Sequence, residues 1–142
     1  IKVLQHESDL ESKFYNTNKF IATNIAIGFK NFHQREGDST NYLRWSSGES
    51  TLILYNKTTN SVKRKIKLSL IRPGGRTVDP AIIDIKVNKN VSKFTVDGSK
   101  NITFDVNINP GANYVQFSSD SRPINNGDPR NIVFGISNYK LN

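Results

Sequence analysis

The sequence predicts an all-β chain, an antiparallel two-sheet β-sandwich of jelly-roll-like form with eight or nine strands. Three observations predict it. Apolar residues alternate with period two, as in Ile102, Phe104, Val106 and Ile108, which places them on one face of a strand. Turn-forming clusters separate such segments: Asn56–Asn60, Pro73-Gly74-Gly75, Asp97-Gly98, Pro110-Gly111 and Asn125–Pro129. No amphipathic helical stretch stands between them.

In chain order, the first periodic feature is a short helix candidate, Ser8–Phe14. There Ser8 and Glu11 have capping-box spacing. Strands are then expected at Ile25–Lys30, Tyr42–Ser46, Thr51–Tyr55, Lys65–Ile71 and Ala81–Val87, the last with Ile83, Ile85 and Val87 on one face. Ser92–Val96, Ile102–Ile108, Asn113–Ser118 and Ile132–Tyr139 complete the set. There is no fixed-period repeat. The expected organisation is a lead-in over residues 1–24 and one sandwich domain over 25–142.

Composition narrows the chemistry. The 142 residues hold 35% apolar side chains, eight Phe, five Tyr and one Trp, enough aromatic content to argue against disorder. The absence of cysteine excludes disulfides, thiolate metal sites and a cysteine nucleophile. No apolar run approaches the ~20 residues that span a bilayer as a helix. With no methionine, even at position 1, the chain reads as a mature product or a piece of a longer protein.

The net charge of +8 is concentrated between residues 41 and 76, where Arg44, Lys57, Lys63, Arg64, Lys65, Lys67, Arg72 and Arg76 face only Glu49. With Ile66, Leu68 and Leu70 turned inward, Lys65, Lys67 and Ser69 lie on the opposite face. The stretch Lys63, Arg64, Lys65 and Lys67 is a candidate polyanion patch. The commoner meaning of such a stretch is a solvated strand face that lysines protect from edge pairing.

Catalytic motifs are absent: there is no glycine-rich phosphate loop, no histidine pair at metal spacing and no nucleophile elbow. His6 and His33 read as surface residues. Glu36 and Asp38 could form a glycosidase-type carboxylate pair, but nothing nearby would split their pKa values. The Asn-x-Ser/Thr triplets at Asn56, Asn90 and Asn101 are expected by chance in a chain so rich in asparagine.

Two clusters stand out. One joins Gly28-Phe29, Glu36-Gly37 and Tyr42-Leu43-Arg44-Trp45-Ser46. Arg44 and Trp45 must point to opposite faces. An outward Trp45 is a platform for a sugar's C–H face; an inward one, the commoner case for a lone sandwich tryptophan, anchors the core. The other cluster is the loop Ser118–Arg130. Its Asp128 and Arg130 could join Glu36 and Arg44 in a buried ion network. Asp120, Asn125 and Asp128 could instead ligate a structural calcium, although their spacing matches no EF-hand; no other cofactor is expected.

Taken together, Gly28-Phe29, Glu36, Arg44-Trp45-Ser46, the strand Thr51–Asn56, Pro123, Gly127-Asp128-Pro129-Arg130 and Phe134-Gly135 resemble a recurring β-sandwich module of bacterial membrane enzymes. These enzymes are multi-pass glycosyltransferases and sulfatase-like phosphoglycerol transferases of surface-glycopolymer assembly. The resemblance runs from about residue 26 to the C-terminus and breaks at the basic 63–67 strand. It implies an extracytoplasmic, non-catalytic accessory domain of a membrane-associated parent chain. Its partner would be a cell-surface glycan or phosphate-bearing glycopolymer, held near the active domain.

The expected ligand contacts are Glu36, Tyr42, Arg44, Trp45, Asp128 and Arg130. A second reading is a purely structural or interaction domain in which Glu36, Arg44, Asp128 and Arg130 tie the sheets together. A third, nucleic-acid binding through Lys63–Lys67, lacks the interleaved aromatics of a stacking platform.

Overall fold

The computed structural model describes residues 24–74, 79–125 and 127–142. The helix expected at Ser8–Phe14 and all of the lead-in except Asn24 lie outside them, as does Arg76. Nine strands follow in order: β1 (Ile25–Phe32), β2 (Glu36–Gly37), β3 (Tyr42–Asn56), β4 (Val62–Ile71), β5 (Ala81–Val87), β6 (Asn90–Val96), β7 (Ser99–Ile108), β8 (Gly111–Ser118) and β9 (Phe134–Leu141). Every pairing is antiparallel.

The strands form one hydrogen-bonded sheet that folds over on itself through β3. The second half of β3 pairs with β1 and β8, and β8 continues to β5 and β6. Its first half pairs with β2 and β9, and β9 continues to β4 and β7. We call these layer one and layer two. The nested pairs β3–β9, β3–β8, β4–β7 and β5–β6 are jelly-roll connectivity, so the expected sandwich is present.

Two of the expected strands, Tyr42–Ser46 and Thr51–Tyr55, are therefore one. Ser46, Ser47 and Gly48 break the apolar alternation, but the backbone runs on because Gly48 adopts φ +124°, a region open to glycine. A side chain there would also meet the Ser119 carbonyl oxygen at 2.9 Å. The bend is secured by the buried hydroxyls of Ser46 and Ser50, 2.6 Å apart, and by Ser50 donating to the Asn31 carbonyl (2.8 Å).

Between the layers lies one apolar cluster. Ile27, Leu52, Leu54, Ile83, Ile85, Val115 and Phe117 of layer one pack with Ile66, Leu68, Leu70, Ile102, Val106 and Ile136 of layer two. At ~25 cal/mol per Å² of apolar surface removed from water, this burial is the main force closing the sandwich. Buried amides supply the hairpin ends. Asn113 Nδ2 donates to the carbonyls of Leu54, Asn109 and Gly111. Asn56, the first residue of one of the Asn-x-Ser/Thr triplets, is likewise buried, donating to Asn60 and Ile108 while accepting from Thr58.

Among the described residues, no helix is long and apolar enough to cross a membrane.

Candidate functional site

Register decides what each side chain of the Arg44–Trp45 cluster can do. Arg44 lies opposite Ile136, a fully buried core residue, and Trp45 lies opposite Gly135. Directly paired residues share a face, so Arg44 faces the core and Trp45 the outer surface of layer two. The arginine settles 4.1 Å above the Phe29 ring and donates from Nη1 to the His33 carbonyl (3.3 Å).

Trp45 is half-buried and lies directly over Gly135. A β-carbon at Gly135 would stand 2.5 Å from its Cε3 and 2.8 Å from its Cζ3. The glycine is there because the indole needs the space. Ile71 of β4 closes the same row, beyond Gly135. The tryptophan is thus seated on the sheet rather than inside it, against the commoner expectation for a lone sandwich tryptophan.

Tyr42 is a correction in the other direction. It is 4% exposed, packs edge-on against Tyr139 at 4.9 Å, and donates its hydroxyl to the Tyr139 carbonyl (2.9 Å). It belongs to the core and presents no surface to a ligand.

The late loop does meet the early cluster. Arg130 donates to Glu36 Oε2 (2.6 Å) and, through Nε and Nη2, to both carboxylate oxygens of Asp128 (3.0 and 2.7 Å). Glu36 pairs with Leu43, two positions from Trp45 on the same outer face. Glu36 is 44% exposed at its side chain and Arg130 34%, so this is a surface network at the edge of layer two, not a buried one. Arg44 is held instead by Phe29 and His33. A charge network that water can screen adds little to stability.

Neither acid beside Glu36 behaves as a proton donor at neutral pH. The Asn41 amide, with the Thr40 hydroxyl and amide, holds Asp38 at about 2. These same bonds, all 2.7–2.8 Å, fold the turn that follows β2. The Arg130 guanidinium, then its backbone N–H, holds Asp128 at about 2. Both Asp128 oxygens being taken by Arg130, calcium ligation through that carboxylate would have to displace an arginine. Among the described residues no three His, Cys, Asp or Glu side chains gather at metal-binding distance.

The Asp128 value carries a consequence for acid stability. Its folded pKa lies below the ordinary ~3.9, so the stabilisation is complete above pH ~4 and is lost as the pH falls towards 2. Asp38 acts in the same window. An Asp128→Asn variant should therefore show a shallower fall in melting temperature between pH 4 and pH 2 than the native protein. Parallel curves would contradict the assignment.

The basic strand divides by parity. Lys63, Lys65 and Lys67 are exposed on the outer face of layer two, with Lys65 paired to Asp105 (2.8 Å) and Lys67 registered against Lys140. Arg64 turns the other way and is half-buried; it is not part of a common patch. Arg72, one of the eight cations between residues 41 and 76, is 6% exposed. It donates to the carbonyls of Asp79, Val133 and Arg122, and burial lowers its pKa.

The outer face of layer two therefore reads in rows. Trp45, Gly135 and Ile71 form one end. Leu43, Ser137, Ser69 and Asn101 form the next row, in which Ser69 donates to the Asn101 side-chain oxygen. Lys67, Lys140 and then Lys65 follow. At ~3.3 Å per residue, the lysine row lies roughly 13 Å along the strands from the tryptophan row. Sequence reasoning missed Ser69, Asn101, Ser137 and Lys140 as members of this face, because strand order alone brings β4, β7 and β9 together. It also missed a polar groove of about 500 Å³ on the outer face of layer one, lined by Lys30, Glu49, Thr51, Asp84, Lys86 and Gln116. Alternating polar residues of that kind look like any solvated strand face.

No family model matches the chain, and no curated protein matches it. Among solved structures it is similar to CBM35 from Cellvibrio japonicus Abf62, with 14% identity, TM-score 0.40, 78% of this chain and 91% of that one. It is similar also to TmCBM61 in complex with β-1,4-galactotriose, with 13% identity, TM-score 0.32, 82% and 81% of the two chains. A third is the enzymatically active domain of bacteriophage CBA120 tailspike protein 4, with 8% identity, TM-score 0.34, 83% of this chain and 18% of that one. Likeness this loose assigns neither a family nor a ligand.

Proposed function

We propose that this domain binds a phosphate-bearing glycan chain across the outer face of layer two, without catalysing a reaction on it. The observation that carries the reading is Trp45, seated half-exposed over Gly135 on the sheet surface. An indole held there can stack on the apolar face of a sugar ring while excluding water from it. Ser137, Ser69 and Asn101 offer hydroxyl and amide partners beside it, and Lys67, Lys140 and Lys65 offer charge beyond. A neutral glycan would use only the first part of this surface; a polymer with phosphates along its backbone would use all of it.

Glu36, Asp128 and Arg130 border the face and supply polar contacts at its edge. With Asp38 and Asp128 both held ionised, neither can serve as a general acid at neutral pH.

The same reading makes the domain an extracytoplasmic accessory of a membrane-associated, glycopolymer-assembling parent enzyme, consistent with the sequence resemblance. Binding there would raise the local concentration of the polymer at the active domain.

Calorimetric titration with phosphate-bearing and neutral fragments of cell-surface glycans tests the proposal. The phosphate-bearing fragments should bind more tightly at low salt, and that advantage should shrink as salt shortens the screening length from about 10 Å at 0.1 M towards about 3 Å at 1 M. No heat from any fragment, or equal binding of both classes at every salt concentration, would contradict it. Nucleic acid has a weaker claim, because no aromatic side chain alternates with Lys63, Lys65 and Lys67 on that face.

A further inference from the structure

The two layers part at one end. Between the β5–β6 hairpin of layer one and the β4–β7 pair of layer two lies a cleft of about 850 Å³, within the size range of small-molecule sites. Its apolar lining includes Val87, Phe94 and Phe104, all inward-pointing yet only partly buried where they pack against the core. The sandwich itself leaves these rings incompletely covered. Of the β4 cations on its border, Arg64 turns towards the cleft, while Lys63 and Lys65 flank it from the outer face of layer two.

Among the described residues the one Asp or Glu side chain on the lining, Asp105, is engaged by Lys65, which leaves the Lys63 and Arg64 side chains without a carboxylate side chain to offset them. Arg64 adds a second, independent observation. Its Nη1 donates to the Lys63 carbonyl (2.8 Å), but its Nε is shielded from solvent and has no hydrogen-bond acceptor. A buried donor without a partner is unfavourable, and turning the guanidinium out towards an anion in the cleft would satisfy it. Arginine forks match carboxylate and phosphate oxygens in particular.

We infer that this cleft is a binding site for a small amphiphilic anion, one apolar tail or ring carrying a carboxylate or phosphate head. The tail covers Phe94 and Phe104, and the head meets Arg64 with Lys63 at the rim. The site is separate from the Trp45 surface. It opens between the layers, whereas Trp45 lies on the outside of layer two, and it holds whether or not a glycan binds there.

Octyl phosphate, used below its micellar range, is the probe, with octyl glucoside (the same tail without charge) and inorganic phosphate (the same charge without a tail) as comparisons. Calorimetry should show saturable binding of octyl phosphate and at least tenfold weaker binding of both comparisons. Amide shifts should cluster at 63–65, 87–94 and 104–107. Arg64→Gln should weaken octyl phosphate about tenfold, the size of one charge-assisted contact. Arg64→Lys should recover part of the loss, and Trp45→Ala should leave binding unchanged. The inference is overturned by equal binding of octyl glucoside, by equal binding of inorganic phosphate, by shifts confined to the Trp45 face, or by no binding of the probe.

Discussion

Replacing Arg72 with alanine is expected to cost this domain about 3–5 kcal/mol, the scale of breaking a buried charged network. The residue is only 6% exposed, and its three side-chain nitrogens reach three separate stretches of chain. Nε donates to Asp79 ahead of β5, Nη1 to Val133 ahead of β9, and Nη2 to Arg122 in the late loop. Its own N–H donates to the Gly98 carbonyl at the β6–β7 turn (2.6 Å). Removing the guanidinium leaves several carbonyls without donors, each hydrogen bond to a charged group being worth ~1.5–3 kcal/mol and not simply additive. For a domain of this size the loss corresponds to a fall of roughly 10–15 °C in melting temperature. Arg72→Lys should recover little, because an ammonium on a flexible stem cannot span three carbonyls in one plane. Thermal unfolding followed by circular dichroism measures both variants. A fall of under ~3 °C for the alanine variant would show that the loops do not depend on it.

Much of the fold could be read from the sequence, and the failures have identifiable physical causes. β5 is bounded at Ala81 and Val87 as the alternation of Ile83, Ile85 and Val87 indicates, because a strand buried on one face writes its period directly into the sequence. β2 left no such signature. Its two residues, Glu36 and Gly37, are both exposed, and only their pairing with Leu43 and Tyr42 makes them a strand. The last strand begins at Phe134 rather than Ile132; Ile132 and Val133 are buried, but in the approach to β9.

For the site, the sequence offered Glu36, Asp128 and Arg130 as members of one ion network, and they do meet, but at the surface and without Arg44. The role of Arg44 was not legible, because parity sets its face opposite to Trp45 without saying which face is the core. The deciding residue is Gly135. A larger residue there would have forced the indole off the sheet, and only the register of β3 on β9 reveals that the two are partners. The role of Arg72 left no mark for a related reason: an arginine just after a basic strand does not reveal the loops that close over it.

The second large effect concerns function. Trp45 stands on a surface where its loss leaves the core cluster intact, so Trp45→Ala should change the melting temperature little. Buried tryptophans at binding surfaces commonly carry ~2 kcal/mol or more of the binding energy, which corresponds to roughly thirtyfold in affinity. Gly135→Ala should give part of the same loss by lifting the ring from its seat, with every polar and charged group of the face still in place.

The most direct measurement is a side-by-side titration of the native protein and Trp45→Ala with one phosphate-bearing glycan fragment, both checked for unchanged melting temperature. Affinity lower by a factor of about thirty in the variant is the result expected of a glycan lying on the outer face of layer two. Equal affinity would move the ligand elsewhere, to the groove on layer one, and would contradict the account.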